Sequence, residues 1–245
     1  MIVISILLIS FVASLFRSTL GFGESLIAVP LFLLFLPLDI AVPLSVLLSI
    51  VIALIVVIQD HKNIHFQSAK WLVIYAAMGI PIGLLILISG NETFVKIILG
   101  LLILFYSIYS LWGVNKELQN TNQANNKLWL FVCGFLSGVF GGAYGVNGPP
   151  LVVYGKLQNW TAKDFRATLQ AYFLPASFMA VIGYYAKGLI TAEVNLYFLY
   201  ALTTAIPAVF LGRYLNSKIK GKSFYKYAYW ALVIIGLILI VTAIK

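Results

Sequence analysis

The sequence predicts an all-α integral membrane protein built from two inverted repeats, each a broken or re-entrant helical hairpin followed by three transmembrane helices. Three observations support this prediction. Of the 245 residues, 62% are hydrophobic and only 9% are charged, and apolar runs of about 20 residues, enough to cross a bilayer, recur along the chain. Two of these runs are interrupted at positions that match when the chain is shifted by 120 residues. Lysine and arginine are distributed unevenly over the predicted loops.

The first broken segment covers residues 2–36. Its apolar sequence is interrupted by the eight residues RSTLGFGE, from Arg17 to Glu24. The flanks, residues 2–16 and 25–36, are each too short to cross a bilayer at about 1.5 Å per residue. We therefore expect the helix to break between Arg17 and Glu24. Because a break in hydrocarbon is tolerated only where it is buried in protein or lines a cavity, it is a candidate site.

The second broken segment covers residues 128–154. Four glycines between Gly138 and Gly145 precede the run Asn147-Gly148-Pro149-Pro150. Interior helical positions cost about 1 kcal/mol for glycine and about 3 kcal/mol for proline, so this run is not expected to continue one regular helix. Asn147 is a predicted N-cap for a new half-helix that has the prolines in its first turn. Such an N-terminus inside a membrane attracts anionic groups.

Six further apolar segments complete the two repeats. They lie at about residues 40–58, 71–89, 94–112, 169–185, 194–211 and 224–244. The first repeat is predicted to occupy residues 1–113 and the second residues 128–245, with residues 114–127 as a polar linker. Gly21 matches Gly141 and Pro30 matches Pro150 at the same offset, so the two broken segments align without a gap.

Loop charges distinguish two topologies. If both broken segments cross the bilayer, the repeats are parallel. Six lysines and arginines then lie on one side of the membrane and nine on the other. If both segments are re-entrant hairpins, the division is twelve against three, with Arg17 left inside the membrane. The positive-inside rule favours the hairpins. The repeats are then inverted, both termini lie outside the inner membrane, and the hairpin tips approach the midplane from opposite faces.

Several other classes of function have little support in the sequence. The net charge of +9 is explained by cytoplasmic loops of a membrane protein, so we predict no nucleic-acid partner. His61 and His65 have no third ligand nearby, and Cys133 is the single cysteine, so no metal site is predicted. Without a nucleotide-binding motif or a catalytic triad pattern, we predict neither a cofactor nor an enzyme.

The interrupted segments resemble the paired motifs of the TauE/SafE, or sulfite exporter, family. The resemblance rests on residues 17–24 followed by 29–31, on residues 134–138 leading to 148–151, and on residues 164–169. It covers nearly the whole chain. It implies a transporter in the cytoplasmic membrane for a small sulfur-containing or carboxylated anion, such as sulfite, sulfoacetate, isethionate or taurine.

Arg17 and Glu24 are the first candidate site residues. An arginine at mid-depth is costly and is expected to face the protein interior or a water-filled cavity, where its planar fork of donors matches sulfonate or carboxylate oxygens. The alternative is that Arg17 pairs permanently with Glu24 as a structural strut. Glu24 is either the protonatable group of a proton-coupled cycle or a carboxylate fixed by a helix dipole.

The remaining candidates are neutral donors that would complete an oxyanion site between the hairpin tips, or line the approach to it. The candidates at the tips are Gly21, Gly23, Tyr144, Asn147 and Gly148. Gln170 and Tyr172 are expected to line the cytoplasmic approach. Arg166 is predicted to be a headgroup anchor. Glycines away from the tips, such as Gly79, Gly83 and Gly100, are expected to allow close helix packing.

The predicted function is secondary transport of a small oxyanion by alternating access, driven by a gradient of the substrate, of protons or of sodium. A passive anion channel is the first alternative, and it requires a continuous polar path. A membrane scaffold or assembly factor without substrate is the second. It would tolerate alanine at Arg17 and Asn147.

Overall fold

The computed structural model describes residues 2–113, 127–218 and 222–244, and the regular structure in these ranges is helical. The α-helices are α1 (Ile2–Leu20), α2 (Glu24–Phe32), α3 (Leu38–Asp60), α4 (Phe66–Ser89), α5 (Glu92–Gly113), α6 (Lys127–Tyr144), α7 (Gly148–Leu157), α8 (Ala162–Ala186), α9 (Ala192–Lys218) and α10 (Lys222–Ile244). A 3₁₀ turn, His61–Asn63, follows α3. The predicted linker lies outside the described residues except for Lys127, which begins α6.

Six helices in the described ranges are long and apolar enough to cross a bilayer, namely α1, α3, α4, α5, α6 and α9. The prediction of an all-α, multi-pass membrane protein is thereby confirmed. Helix α8 is long enough but carries Lys163, Asp164, Arg166 and Gln170 in its first turns. It packs against α3 and α4, and Arg166 and Gln170 are buried in the protein, whereas Lys163 is exposed.

Two short breaks interrupt the helices, one at residues 21–23 between α1 and α2, and one at residues 145–147 between α6 and α7. Gly21 (φ 89°), Gly23 (φ 93°) and Gly145 (φ 68°) all have positive φ. Glycine reaches this region without the steric penalty of a Cβ, so these three residues determine where each helix ends or begins again.

Both breaks are shorter than the sequence predicts. Helix α1 continues through Arg17 to Leu20, and α6 continues through Gly138, Gly141 and Gly142. Each break therefore lies within its predicted interruption but occupies only part of it. Arg17 finds hydrogen-bond partners without leaving the helix, and the three glycines lie at close helix contacts or under a side chain, which offsets their low helix propensity.

Helices α4 and α6 pack closely through small residues. A Cβ on Gly138 would meet the backbone carbonyl of Ala76, and one on Gly79 would meet the backbone carbonyl of Phe135. Gly83 likewise faces the backbone of α6, and Gly100 of α5 faces α10. The predicted packing role of these glycines is confirmed, because small residues let helix backbones approach each other within a membrane.

The helices of the two halves pack in corresponding pairs. Helix α1 packs against α9, and α4 against α6; α3 packs against α9, and α4 against α8; α3 also pairs with α8, and α5 with α10. If α1 is exchanged with α6, α3 with α8, α4 with α9 and α5 with α10, the same set of pairs results. That is the pattern expected of two structurally equivalent halves.

Helices α3 and α8 run in opposite directions. Near one end of the α3–α8 pair, Arg166 lies beside Asp60, and near the middle Ser177 lies beside Ser49. Residue numbers therefore increase along α8 in the direction in which they decrease along α3, so the two helices are antiparallel. Helices α5 and α10 are antiparallel by the same criterion.

The chain reverses at the first break. The end of α1 lies at the Asp60 end of α3, because Gly21 packs against Arg166 and Arg166 pairs with Asp60. Helix α2 then leads within a few residues to Leu38, which is the opposite end of α3. Helices α1 and α2 therefore form a hairpin whose tip is the Gly21–Gly23 break.

Candidate functional site

The two breaks meet at one small cavity of about 20 Å³, hereafter the central cavity, which has room for about one water molecule. Its lining comes from both hairpins and from α3 and α8: Arg17, Gly23, Glu24, Ser25, Leu26, Ser49, Gly145, Val146, Asn147, Gly148 and Phe173. Five of the residues predicted from the sequence, Arg17, Gly23, Glu24, Asn147 and Gly148, thus surround one space.

The guanidinium of Arg17, on the last turn of α1, is 3% exposed. Its Nη1 donates to Ser49 Oγ (2.6 Å) and to Glu24 Oε2 (3.2 Å). Its Nε and Nη2 both donate to Gln170 Oε1, at 3.1 and 2.8 Å. The ring of Phe173 covers one face of the guanidinium, 4.6 Å from Cζ. Arg17 is therefore held by one carboxylate, two neutral acceptors and an aromatic face.

Glu24 is the first residue of α2 and is 1% exposed. Besides the ion pair with Arg17, its Oε1 accepts from Ser45 Oγ (2.8 Å) and its Oε2 accepts from Ser25 Oγ (3.1 Å). The N-terminal dipole of α2 adds to the stabilisation of its negative charge. In this conformation the two buried charges neutralise each other, so the strut interpretation of Arg17 and Glu24 describes the state observed.

Asn147 occupies the N-cap position of α7, as predicted, but its side chain makes no capping hydrogen bond. Its backbone is helical (φ −86°, ψ −18°), whereas a capping side chain needs an extended backbone. The amide instead covers Gly141, where a Cβ would lie 2.6 Å from Nδ2. Ser137 Oγ donates to the Asn147 carbonyl (2.7 Å) and pairs with the Tyr172 hydroxyl (2.8 Å), which fixes the second tip.

Gln170 is buried behind Arg17 rather than along an approach route. Its Oε1 accepts from Arg17, and its Nε2 donates to the carbonyl of Gly21 (2.6 Å), so it links the arginine to the backbone of the first break. Neither Gln170 nor Gly21 lines the central cavity. Tyr144 is also buried, and the cavity lining does not include it.

Several hydroxyl groups of the site were missed by sequence reasoning. Ser45 and Ser49 of α3 contact Glu24 and Arg17 respectively, and Ser177 of α8 donates to Ser49 (3.1 Å). Ser45 and Ser49 are four residues apart and so share one face of α3. That spacing of small polar residues in an apolar span is the signal that could have identified them.

Arg166 was predicted to anchor at headgroups, and this was wrong. The residue is 5% exposed, its Nε lies 3.3 Å from Asp60 Oδ2, and its Cα and Cβ pack against Gly21. Arg213 also approaches Asp60, at 3.9 Å. The carboxylate at the end of α3 compensates the charge, and the first hairpin tip covers the side chain.

A second cavity of about 280 Å³, hereafter the vestibule, lies on the other side of Phe22. Its lining consists of Leu20, Phe22, Val152, Gly155, Lys156, Trp160, Phe165, Asn216 and Tyr229. The Phe22 ring makes edge contacts with Tyr106 and Phe165, both at 6.0 Å between centroids. Its Cδ2 lies 3.2 Å from where a Cβ would stand on Gly148, so this vestibule residue packs directly against a residue that lines the central cavity.

Comparison with known families matches residues 6–239, nearly the whole chain, to a model described as sulfite exporter TauE/SafE. No curated protein and no solved structure matches the chain.

Proposed function

The chain belongs to the sulfite exporter TauE/SafE family of membrane transporters, and we propose that it is a secondary transporter moving a small sulfur-containing or carboxylated anion across the cytoplasmic membrane. The proposed substrate class comprises sulfite, sulfoacetate, isethionate and taurine. The observation that supports this most strongly is the buried guanidinium of Arg17 beside the cavity where both helix breaks meet. Arginine binds sulfonate and carboxylate oxygens through paired donors.

The proposed binding step is an exchange of anions on Arg17. The Nη1 to Glu24 Oε2 distance of 3.2 Å is longer than the roughly 2.7–2.9 Å of a strong charge-assisted hydrogen bond. A substrate oxygen can take this place while Gln170 continues to orient the other edge of the guanidinium. The N-termini of α2 and α7, which begin at Glu24 and Gly148, add the positive ends of their helix dipoles. In α7 the Gly148 N–H is a possible donor, whereas Pro149 and Pro150 have no N–H.

This exchange leads to a proposal for coupling. An anion on Arg17 leaves the carboxylate of Glu24 without its counter-charge, which is costly inside a membrane. Uptake of a proton by Glu24, or of a sodium ion beside it, restores neutrality. The hydroxyls of Ser25 and Ser45 support the proton version, because a hydroxyl that donates to a carboxylate can turn and accept from a carboxylic acid.

Alternating access between two inverted repeats is the proposed mode of movement. The antiparallel direction of equivalent helices supports inverted repeats, and the loop charges favour a topology with both termini outside. The central cavity has room for about one water molecule, so a four-atom oxyanion enters only if a hairpin moves. Phe22 against Gly148 also interrupts the polar path that a passive channel needs, which favours a carrier.

The test is ligand-dependent thermal stability of the purified protein with sulfite, sulfoacetate, isethionate, taurine, sulfate and short carboxylates. A ligand at about 100 times its Kd adds about 2.7 kcal/mol to the free energy of unfolding. We expect one sulfonate or sulfite to raise the Tm of the wild type but not of Arg17→Ala. Arg213→Ala, which removes a half-exposed arginine, is the matched control and keeps the response.

Two results would contradict the proposal. If no member of the panel shifts the wild type, the substrate class loses its support. If Arg17→Ala and Asn147→Ala keep both the Tm response and anion flux in proteoliposomes, the site lies elsewhere, or the protein acts as a scaffold.

A further inference from the structure

Among the described residues that line the vestibule, Lys156 is a cation without a carboxylate partner. Lys156, near the end of α7, lines this cavity and is half-buried. Among the described residues, no carboxylate forms an ion pair with its amine. Its Nζ lies instead over the ring of Tyr109, 5.1 Å from the centroid. A cation held over an aromatic face keeps hydrogen-bond donors for another ligand.

The rest of the vestibule is suited to an anion in transit. The other described residues of its lining are uncharged, so none of them opposes the field of Lys156. Asn216 adds an amide whose Nδ2 donates to the Thr19 carbonyl (2.6 Å) and thereby ties α9 to the end of α1. The cavity volume of about 280 Å³ is many times that of the central cavity and accommodates a hydrated oxyanion without rearrangement.

We propose that Lys156 forms a vestibular subsite that holds a small oxyanion in front of Phe22, before the anion reaches Arg17. The identity of this oxyanion as the transported substrate rests on the proposed function. A lysine is a compact point charge without the rigid fork of arginine, so it attracts the anion with little geometric selectivity and releases it readily. Movement of Phe22 away from Gly148 then joins the subsite to the central cavity.

Trp160 provides a probe, because its ring lies in the vestibule lining. In a variant with Trp71, Trp112, Trp129 and Trp230 replaced by phenylalanine, fluorescence reports on Trp160 alone; all four replaced side chains are exposed. Iodide quenches by collision and is drawn in by Lys156, whereas acrylamide is neutral. His65 stacks on Trp160, so the wild type and all variants are compared in one buffer.

We expect Lys156→Gln to lower iodide quenching of Trp160 by at least about twofold at low salt, with acrylamide quenching unchanged. Lys163→Gln removes an exposed lysine of α8 close to the same tryptophan and is the matched control; it leaves iodide quenching nearly unchanged. Sulfite added to the protein that retains Lys156 should compete with iodide and lower the quenching of Trp160.

Equal iodide quenching in Lys156→Gln and Lys163→Gln would overturn the subsite. A second result would also overturn it. If added phosphatidylglycerol abolishes the difference in iodide quenching between the wild type and Lys156→Gln, and sulfite does not compete with iodide, the lysine holds a lipid phosphate. Quenching requires no transport, so the two proposals fail separately. If anion flux depends on Arg17 but iodide quenching is the same with and without Lys156, only the subsite is contradicted. If iodide quenching depends on Lys156 but no anion of the panel binds at Arg17, only the proposed function is contradicted.

Discussion

Gln170 and Arg17 are joined by two hydrogen bonds to one oxygen, since Arg17 Nε and Nη2 both donate to Gln170 Oε1 at 3.1 and 2.8 Å. The amide nitrogen of the same glutamine donates to the Gly21 carbonyl at 2.6 Å. A residue of the second half thus holds both the arginine and the backbone break of the first half. The site depends on this link between halves.

Removal of the Gln170 amide should destabilise the protein. Gln170→Leu leaves two donors of Arg17 and one buried carbonyl without partners, and each unsatisfied buried group costs about 1–3 kcal/mol. We expect a clear fall in Tm and a weaker response to any stabilising anion. Gln67→Leu, at an exposed glutamine of α4, should change stability by no more than about 0.5 kcal/mol. Equal Tm values for the two variants would contradict the bridging role.

Glu24→Gln should separate anion binding from coupling. The amide keeps hydrogen-bonding capacity toward Ser25 and Ser45 but cannot carry or release a proton. We expect exchange of sulfite across proteoliposomes to continue while accumulation driven by a pH gradient is lost. Glu193→Gln, at an exposed glutamate of α9, should keep both activities. Gradient-driven accumulation by Glu24→Gln would rule out this residue as the proton carrier.

Gly138→Ala should weaken the contact between α4 and α6. The added methyl group would meet the backbone of Ala76, which cannot move aside as a flexible side chain can. Overpacking of this kind costs about 1–3 kcal/mol, and chemical denaturation in detergent measures it. At Gly183 a Cβ meets only the end of the Leu84 side chain, so Gly183→Ala should be nearly neutral. Equal destabilisation by both alanines would show that the α4–α6 contact does not require glycine at position 138.

Phe22→Ala should open a path between the vestibule and the central cavity. Truncation removes the ring that packs against Gly148, Phe165 and Tyr106, so anions are expected to leak down their gradient without a coupling ion. Loss of a buried phenylalanine also costs about 3–5 kcal/mol of stability. Phe94→Ala, at a lipid-exposed position, should not leak. Tight coupling in a folded Phe22→Ala protein would show that Phe22 is not the barrier.

Composition and glycine placement were sufficient to predict much of the fold. Apolar runs of bilayer length predicted the helices because backbone polar groups in hydrocarbon must be satisfied within the segment. Positive-φ glycines at positions 21, 23 and 145 lie within the predicted interruptions. The sequence did not predict that Gly138, Gly141 and Gly142 would remain helical, because their effect depends on α4 and the Asn147 side chain packing against them.

The sequence alone determined that the chain lies in a membrane, that it contains two interrupted segments, and that Arg17 and Glu24 lie within the first of them. Only the tertiary structure decided what these charges contact. Arg17 is contacted by residues of two helices that are remote in sequence, namely Ser49 of α3 and Gln170 and Phe173 of α8. Arg166, expected at the membrane surface, is buried and forms an ion pair with Asp60. Helix periodicity fixes the face on which a side chain lies, whereas packing between distant helices determines its partner.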